Sequence, residues 1–320
     1  MSESAAGLRR TIASAGDLQA VVRTMKALAA SSIGQYEQSV RALADYARTV
    51  ELGLSACLRG DGVPVPGQPD SAATRPVAHR LVLVFGSDQG LVGQFNEGIA
   101  ERVLSHLSDP AVPTTVWTVG ERVHVRLLDA GLAVQGPLAV PQSVKGITTL
   151  VGRLLLETVT AQAAVASTEL LVFHNQSAAN STVEVVQHRL LPLDAHWRQA
   201  LIADPWPTRS LPQVVGGAAE TLRTLVGEYL FVSLFRACAE SLASENASRL
   251  AAMERADQNI SELLETLRSR FNQLRQSGID EELFDVISGF EALTPAAREK
   301  PAAAQRAASR VTASPHGDQT

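Results

Sequence analysis

From Gln213 to Leu293 the chain contains no proline, and its apolar positions recur at helical spacing. Leu250, Met253, Asp257, Ile260, Leu264, Leu267, Phe271 and Leu274 follow alternating steps of three and four, the spacing of a heptad seam. The pattern predicts one long helix. At 1.5 Å per residue it would reach on the order of 120 Å, whereas a compact globule of this chain length is about 50 Å across, so the helix is expected to project from any globular body. Gly216, Gly217 and Gly278 are the expected places for it to start late or bend. A second proline-free segment covers Ser4 to Cys57. There Ala29, Ile33, Tyr36, Val40, Leu43, Ala47, Val50, Leu54 and Cys57 form the stripe, and Glu37, Arg41, Asp45, Arg48 and Glu51 occupy the other faces. Such a helix is stabilised mainly by packing of its apolar face, and its natural partner is the C-terminal helix.

All fifteen prolines lie outside these two segments, which divides the chain into helix, middle domain, helix and tail. The expected boundaries are an N-terminal coiled-coil helix over 1–58, a Gly- and Pro-rich linker over 59–79, an α/β domain over 80–212, the C-terminal coiled-coil helix over 213–293 and a disordered tail over 294–320. Within the middle, Leu81–Phe85 reads as a buried strand. A glycine-containing turn and a helix to about Leu107 follow it. Strands are also predicted at Thr114–Val119, Glu169–His174 and Thr182–Leu190, the last two joined through Ala178-Ala179-Asn180. Helices are predicted at Glu121–Ala130 and Val144–Ala164, and the prolines at Pro192, Pro205, Pro207 and Pro212 read as an exit loop. Strands alternating with helices predict a small Rossmann-like α/β domain with a largely parallel sheet. The fold class is thus α/β with long helices, the terminal pair forming an antiparallel coiled coil.

Composition narrows the function classes. The 320 residues are 45% hydrophobic but only 4% aromatic, which suits helix seams better than one thick core. A net charge of -5, with no basic run interleaved with aromatics, argues against nucleic acid as a partner. Cys57 and Cys238 form no CxxC pair, so no cysteine metal site or disulfide framework is expected, and a reducing cytoplasm fits. The first ten residues lack a signal pattern and no run of about 18 apolar residues occurs, so no span of the membrane is expected.

Candidate chemistry is sparse. Gly86, Gly90 and Gly93 after the first strand give GxxxGxxG, and neither GxGxxG nor GxxxxGK[ST] occurs, so the loop is expected to serve backbone geometry and not a phosphate. The seven histidines make no metal spacing, and Ser87 sits in no GxSxG elbow; no catalytic, cofactor or metal site is assigned. Asp280, Glu281, Glu282 and Asp285 read as a solvated or partner-facing surface, because one helix cannot wrap ligands around a cation as an EF-hand loop does. Asp257 within the seam marks either a place where the coil opens to meet something else or a loose, solvated stretch.

Three stretches carry a resemblance. The C-terminal helix contains Glu240-Ser241-Leu242-Ala243-Ser244-Glu245-Asn246-Ala247-Ser248-Arg249-Leu250-Ala251-Ala252-Met253, then Asp257-Gln258-Asn259, Phe271-Asn272-Gln273-Leu274-Arg275-Gln276 and Val286-Ile287-Ser288-Gly289. This resembles the gamma subunit of F-type ATP synthases, the central rotor shaft. Leu8-Arg9-Arg10 and Val21-Val22-Arg23-Thr24-Met25-Lys26-Ala27-Leu28 look like the family's first-helix motif, and Ser87-Asp88-Gln89-Gly90-Leu91-Val92-Gly93-Gln94-Phe95-Asn96 is similar to its strand-turn-helix signature.

The resemblance implies a non-catalytic rotor that couples ion flow to ATP synthesis or hydrolysis. Its implied partners are the alpha and beta subunits of the catalytic ring, the epsilon subunit and the membrane c-ring, with one copy per complex, held peripherally at the cytoplasmic face of the cell inner membrane. It further implies that Arg23, Met25, Arg249, Arg275, Gln276 and Glu282 face the catalytic subunits and transmit torque. Lys26, Ser32, Val92 and Gln94 depart from the family's usual residues, the tail runs past its usual end, and the chloroplast form's cysteine insertion is absent. These departures suggest a divergent copy, from an alternative ATPase of this type that pumps sodium or protons. Two rivals are a coiled-coil scaffold with an inserted α/β domain, which predicts a homodimer, and a nucleotide-binding enzyme using Gly86–Gly93.

Overall fold

The computed structural model describes residues 4–59, 77–107, 112–165, 167–177, 183–193, 195–210, 212–214 and 217–293. Most of the expected linker, the turn at Ala178-Ala179-Asn180, Gly216 and the tail from Thr294 lie outside the described residues. Helix α1 spans Ala5–Arg59, and α6 spans Ala218–Leu293, 76 residues without interruption. Between them come β1 (His79–Phe85), α2 (Phe95–His106), β2 (Thr114–Val119), α3 (Glu121–Asp129), β3 (Gln135–Leu138), α4 (Val144–Ala164), β4 (Thr168–Ser177), β5 (Val183–Leu191) and α5 (Ala195–Ala203).

The five strands form one sheet in the order β3-β2-β1-β4-β5. Three of its pairings are parallel, and β4 with β5 is antiparallel. Strand alternation splits the core between the two faces. Val82, Val84, Leu171 and Phe173 pack with Ile99 and Val103 of α2 and Val123 and Leu127 of α3. Leu81, Leu83, Phe85, Leu170 and Val172 belong to the opposite layer, with Ile147, Val151 and Leu154 of α4 and the buried sides of the two long helices, Leu54 and Leu58 of α1 and Leu222, Leu230 and Leu234 of α6. The sheet therefore seats directly on the helix pair.

Thr114–Val119 and Val144–Ala164 fold over the expected residues, the latter capped by the Ser143 side chain accepting from the Gly146 N–H. Two elements were not expected. Strand β3 is four residues long and contains Gly136 and Pro137, so it carries no apolar alternation. Helix α5 lies inside the segment read as an exit loop; nine residues between prolines give too little periodicity to see. Helix α6 starts at Ala218, after Gly217, whose carbonyl accepts from Glu220 and Thr221, and not at Gln213. It continues through Gly278 without a break.

The chain divides into two compact units, one formed by Gln19–Gln258 and the other by the residues up to Leu18 together with those from Asn259. In the first, the long helices run antiparallel: Gln19 lies beside Asp257, Lys26 beside Glu254 and Tyr46 beside Glu228. Every expected seam position of α1 from Ala29 to Cys57 is buried or half-buried. In the second unit the buried side chains include Leu8, Ile260, Leu264 and Leu267. Ala5–Leu18 spans about 20 Å there and Asn259–Leu293 about 50 Å at 1.5 Å per residue. The shorter segment cannot cover the longer one, and from Asn272 to Phe290 every residue is exposed.

Candidate functional site

Arg23 and Asp257 answer to one another. The Asp257 carboxylate accepts from Gln19 Nε2 at 3.1 Å and from Arg23 Nε at 3.3 Å, so the seam charge is partnered within the helix pair. The Arg23 side chain is 62% exposed, where an ion pair contributes little and the guanidinium stays accessible. Met25, about 200° further round the helix, is half-buried. Lys26, one of the departures, pairs with Glu254 at 3.5 Å. Arg275, Gln276 and Glu282 lie on the exposed end of α6.

Arg249 is placed differently from these. Its side chain is 12% exposed and donates to Glu245, 7% exposed, at 2.6 Å, with a longer bond to Asn246. Burial pushes the Glu245 carboxyl above its ordinary range, against the lowering effect of the Arg249 hydrogen bond and charge. The pair lines a polar cleft of about 100 Å³ with Ser32, Tyr36, Asp88 and Gln142, where α1, α6 and the loops after β1 and β3 meet. Of the six residues nominated by resemblance, Arg249 is thus the one engaged in an internal buried pair.

The loop after β1 is closed by its own contacts. Ser87 N–H donates to Asn96 Oδ1, Asn96 Nδ2 donates to Ser87 Oγ, and Ser87 Oγ donates to the Gln89 carbonyl. Asp88 accepts from the backbone N–H of Glu121 at 3.0 Å and of Val140 at 2.9 Å, joining the start of α3 to the segment after β3. The Glu121 N–H at a helix N-terminus, a donor that would suit a phosphate, is satisfied by this carboxylate. Gly86 is required because a Cβ there would lie 2.4 Å from Val123 Cγ1. Gly93 adopts φ +61, whereas Gly90 has ordinary surroundings. Replacing Asp88 by alanine is expected to cost about 2 kcal/mol by leaving two backbone donors without their acceptor. Asparagine, keeping one acceptor oxygen, should recover part of that, as urea unfolding of both variants will measure.

A second cleft, of about 260 Å³, lies between β4, β5 and α6. There His174, 1% exposed, shares a 3.0 Å bond with Glu240, which also takes Arg236 Nε at 2.7 Å. Burial works to raise the Glu240 carboxyl, but the bonds and charge from His174 and Arg236 outweigh it and hold the group below its ordinary value. His188 stacks on His174 at 5.4 Å and is pushed down by burial and by that neighbour. The network ties the sheet to α6. Among the described residues no group of His, Cys, Asp or Glu is arranged to hold a metal, and no helix is long and apolar enough to cross a membrane.

A family model described as ATP synthase matches residues 4–293. The ATP synthase gamma chain of Thermobifida fusca is 28% identical over 303 residues, covering 90% of this chain and 96% of that one. That of Sorangium cellulosum is 26% identical over 318 residues, covering 89% and 98%. Among solved structures, a chain of the Euglena gracilis mitochondrial ATP synthase (OSCP/F1/c-ring, rotational state 3) superposes with a TM-score of 0.59 at 15% identity, over 93% of this chain and 98% of that one. A chain from the central stalk and c-ring of the Tetrahymena thermophila mitochondrial enzyme gives a TM-score of 0.54 at 20% identity, over 74% and 99%. The structural likeness spans 74% of this chain in one case and 93% in the other.

Proposed function

This chain belongs to the ATP synthase gamma family, and from that membership we propose how it acts: as the central-stalk rotor subunit of an F-type ATP synthase, its helix pair turning inside a ring of alternating alpha and beta subunits. It makes and breaks no bond itself. Each angular position offers the catalytic subunits a different set of contacts and so shifts which conformation they prefer. The sheet domain forms the foot, toward the epsilon subunit and the membrane c-ring. The subunit is peripheral to the membrane, one copy per complex, on the cytoplasmic face of the cell inner membrane. Arg23, Met25, Arg275, Gln276 and Glu282 act at the ring, while Arg249 holds the shaft's own geometry beneath the sheet.

The observation that carries this reading is the end of α6. Ile279, Leu283, Phe284, Val286 and Ile287 are all exposed there, more large apolar surface than a lone helix keeps in water without a partner. A ring that closes around the helix supplies such a partner on every side. The first test is co-purification of a tagged chain from its native membranes, with stoichiometry and ATP hydrolysis measured on the product. One copy among alpha- and beta-like partners supports the rotor, whereas a homodimer without them supports a scaffold. A sharper test replaces Leu283 and Val286, 57% and 70% exposed, by aspartate. Folding of the chain should change by no more than about 0.5 kcal/mol per site, while ATP hydrolysis coupled to rotation falls about tenfold through lost anchor contacts. Assembly and hydrolysis unchanged from the parent would sink this assignment of the helix end.

A further inference from the structure

We propose that the cleft between β4, β5 and α6 is a proton-operated latch, in which charging His188 loosens the sheet from α6. The inference goes beyond the rotor reading and stands on the packing of this cleft. Strand alternation brings its residues together. His188 of β5 sits opposite Val172 of β4, and His174 lies two residues further along β4, opposite Val186. Both rings therefore stand on the face of the sheet that carries Val172 and packs with α6. Gln187, one residue away on the other face, bonds instead to His106 of α2.

The latch is a chain of three groups. His174 Nε2 and Glu240 Oε2 are 3.0 Å apart, and Arg236 Nε donates to Glu240 Oε1 at 2.7 Å. Both carboxylate oxygens are thus engaged. The His174 side chain is 1% exposed, and its Nδ1 is buried with no hydrogen-bond partner among the described residues. Its polar attachment is the single bond to Glu240, backed by the stack with His188 at 5.4 Å and 21° between the ring planes.

His188 remains exposed, so a proton arriving from water meets it before the buried ring. The charged and titratable groups that share the cleft with it are Glu51 of α1, His174 of β4, and Tyr229, Arg236 and Glu240 of α6. Arg236 is a permanent cation, Glu51 lies exposed, and Glu240 has no oxygen left over. A charged His188 either stands beside Arg236 without a buried carboxylate of its own or takes Glu240 from His174. The first repels the stack, the second breaks the Glu240 bond, and both loosen His174 from α6. Burial first, then His174 and Arg236, push His188 below its ordinary value against the pull of Glu240. A histidine depressed in this way stabilises the fold while neutral and loses that contribution as pH falls below its unfolded value of about 6.5. The latch is closed at neutral pH and opens in acid. Burial works to raise Glu240, but His174 and Arg236 hold it low, so its own protonation falls in a separate window below the unfolded carboxylate value of about 4.3.

NMR of the full-length chain with labelled histidine rings, assigned through H174Q and H188Q, gives the first readout. His188 is expected to take up its proton below the ordinary histidine value, and the His174 ring signals should move with the same midpoint. In H188Q, a change at an exposed position, the His174 signals should stay in place over that range. The second readout is amide hydrogen exchange of β5, corrected for the intrinsic effect of pH and referred to the central strand β1. Between about pH 7.5 and about pH 5.5 it should rise about tenfold in the parent and less than about twofold in H188Q. His174 signals indifferent to the His188 titration, or a rise in exchange equal in both proteins, would overturn the proposal, as would His188 titrating at its ordinary value. Neither readout involves ATP hydrolysis or another subunit, so failure of the latch and failure of the rotor reading are distinguishable.

Discussion

Arg249→Met is expected to destabilise the isolated chain by about 3–5 kcal/mol, because it leaves the Glu245 carboxylate buried without its partner. The 2.6 Å bond joins two side chains that are 12% and 7% exposed, so the carboxylate left behind is largely desolvated. The effect should depend on pH in a definite direction. Glu245 already titrates above its ordinary range through burial, and Arg249 is the group that holds it down. An acid whose folded pKa lies above its unfolded value favours the folded state while protonated and loses that contribution as pH rises through the folded pKa. Removing Arg249 widens the difference, so the variant should lose most stability at the alkaline end of the range and approach the parent as the pH falls and Glu245 takes up a proton. The double variant E245Q/R249M, with no charge left to bury, should recover most of the loss. Equilibrium unfolding across this range decides between two roles. A residue serving only as a contact to the catalytic ring would leave the stability of the isolated chain unchanged at every pH.

Gly120→Val is expected to remove about 4 kcal/mol or more, enough to leave little folded sheet domain at physiological temperature. Gly120 sits at the carboxyl end of β2 with φ +103, a conformation that a β-branched residue does not adopt without strain. A Cβ there would lie 2.7 Å from the Ser87 nitrogen and 2.8 Å from the Gly86 carbonyl carbon, backbone atoms that cannot rotate aside. The damage falls on the loop that Asp88 and Ser87 hold closed. Gly131 is the control, since its φ of +83 is also positive but nothing lies within 4 Å of its would-be Cβ. Substitution there should cost about 1 kcal/mol from backbone strain alone. Urea unfolding of the two variants separates steric conflict from conformational preference, and equal losses would contradict the packing assigned to Gly120.

Much of the site was visible only by analogy before the fold was known. Arg23 and Asp257 are 234 positions apart, and the seam pattern located Asp257 without identifying the Gln19 and Arg23 donors that satisfy it. Asp88 stood within a recognisable strand-turn-helix stretch, yet its task of joining Glu121 N–H to Val140 N–H depends on two segments far along the chain. The cluster of His174, His188, Glu240 and Arg236 left no signal in spacing, since two strands and a distant helix contribute to it. Strand β3 and helix α5 were missed for a different reason: each is too short for its periodicity to rise above that of a loop.

The sequence by itself determined the paired terminal helices, the alternation of strands and helices between them, and the family to which the chain is related. Those are consequences of patterns that repeat locally, since an apolar stripe every three or four residues must be buried wherever its helix goes. The tertiary structure decided which charges are buried and which remain at the surface. Arg249 and Arg275 belong to the same helix and carry the same side chain, but one lies under the sheet domain and the other where α6 is exposed on all sides. Desolvation of a charge is set by whatever the rest of the chain brings against it, and that neighbour is not written in the residue's own stretch of sequence.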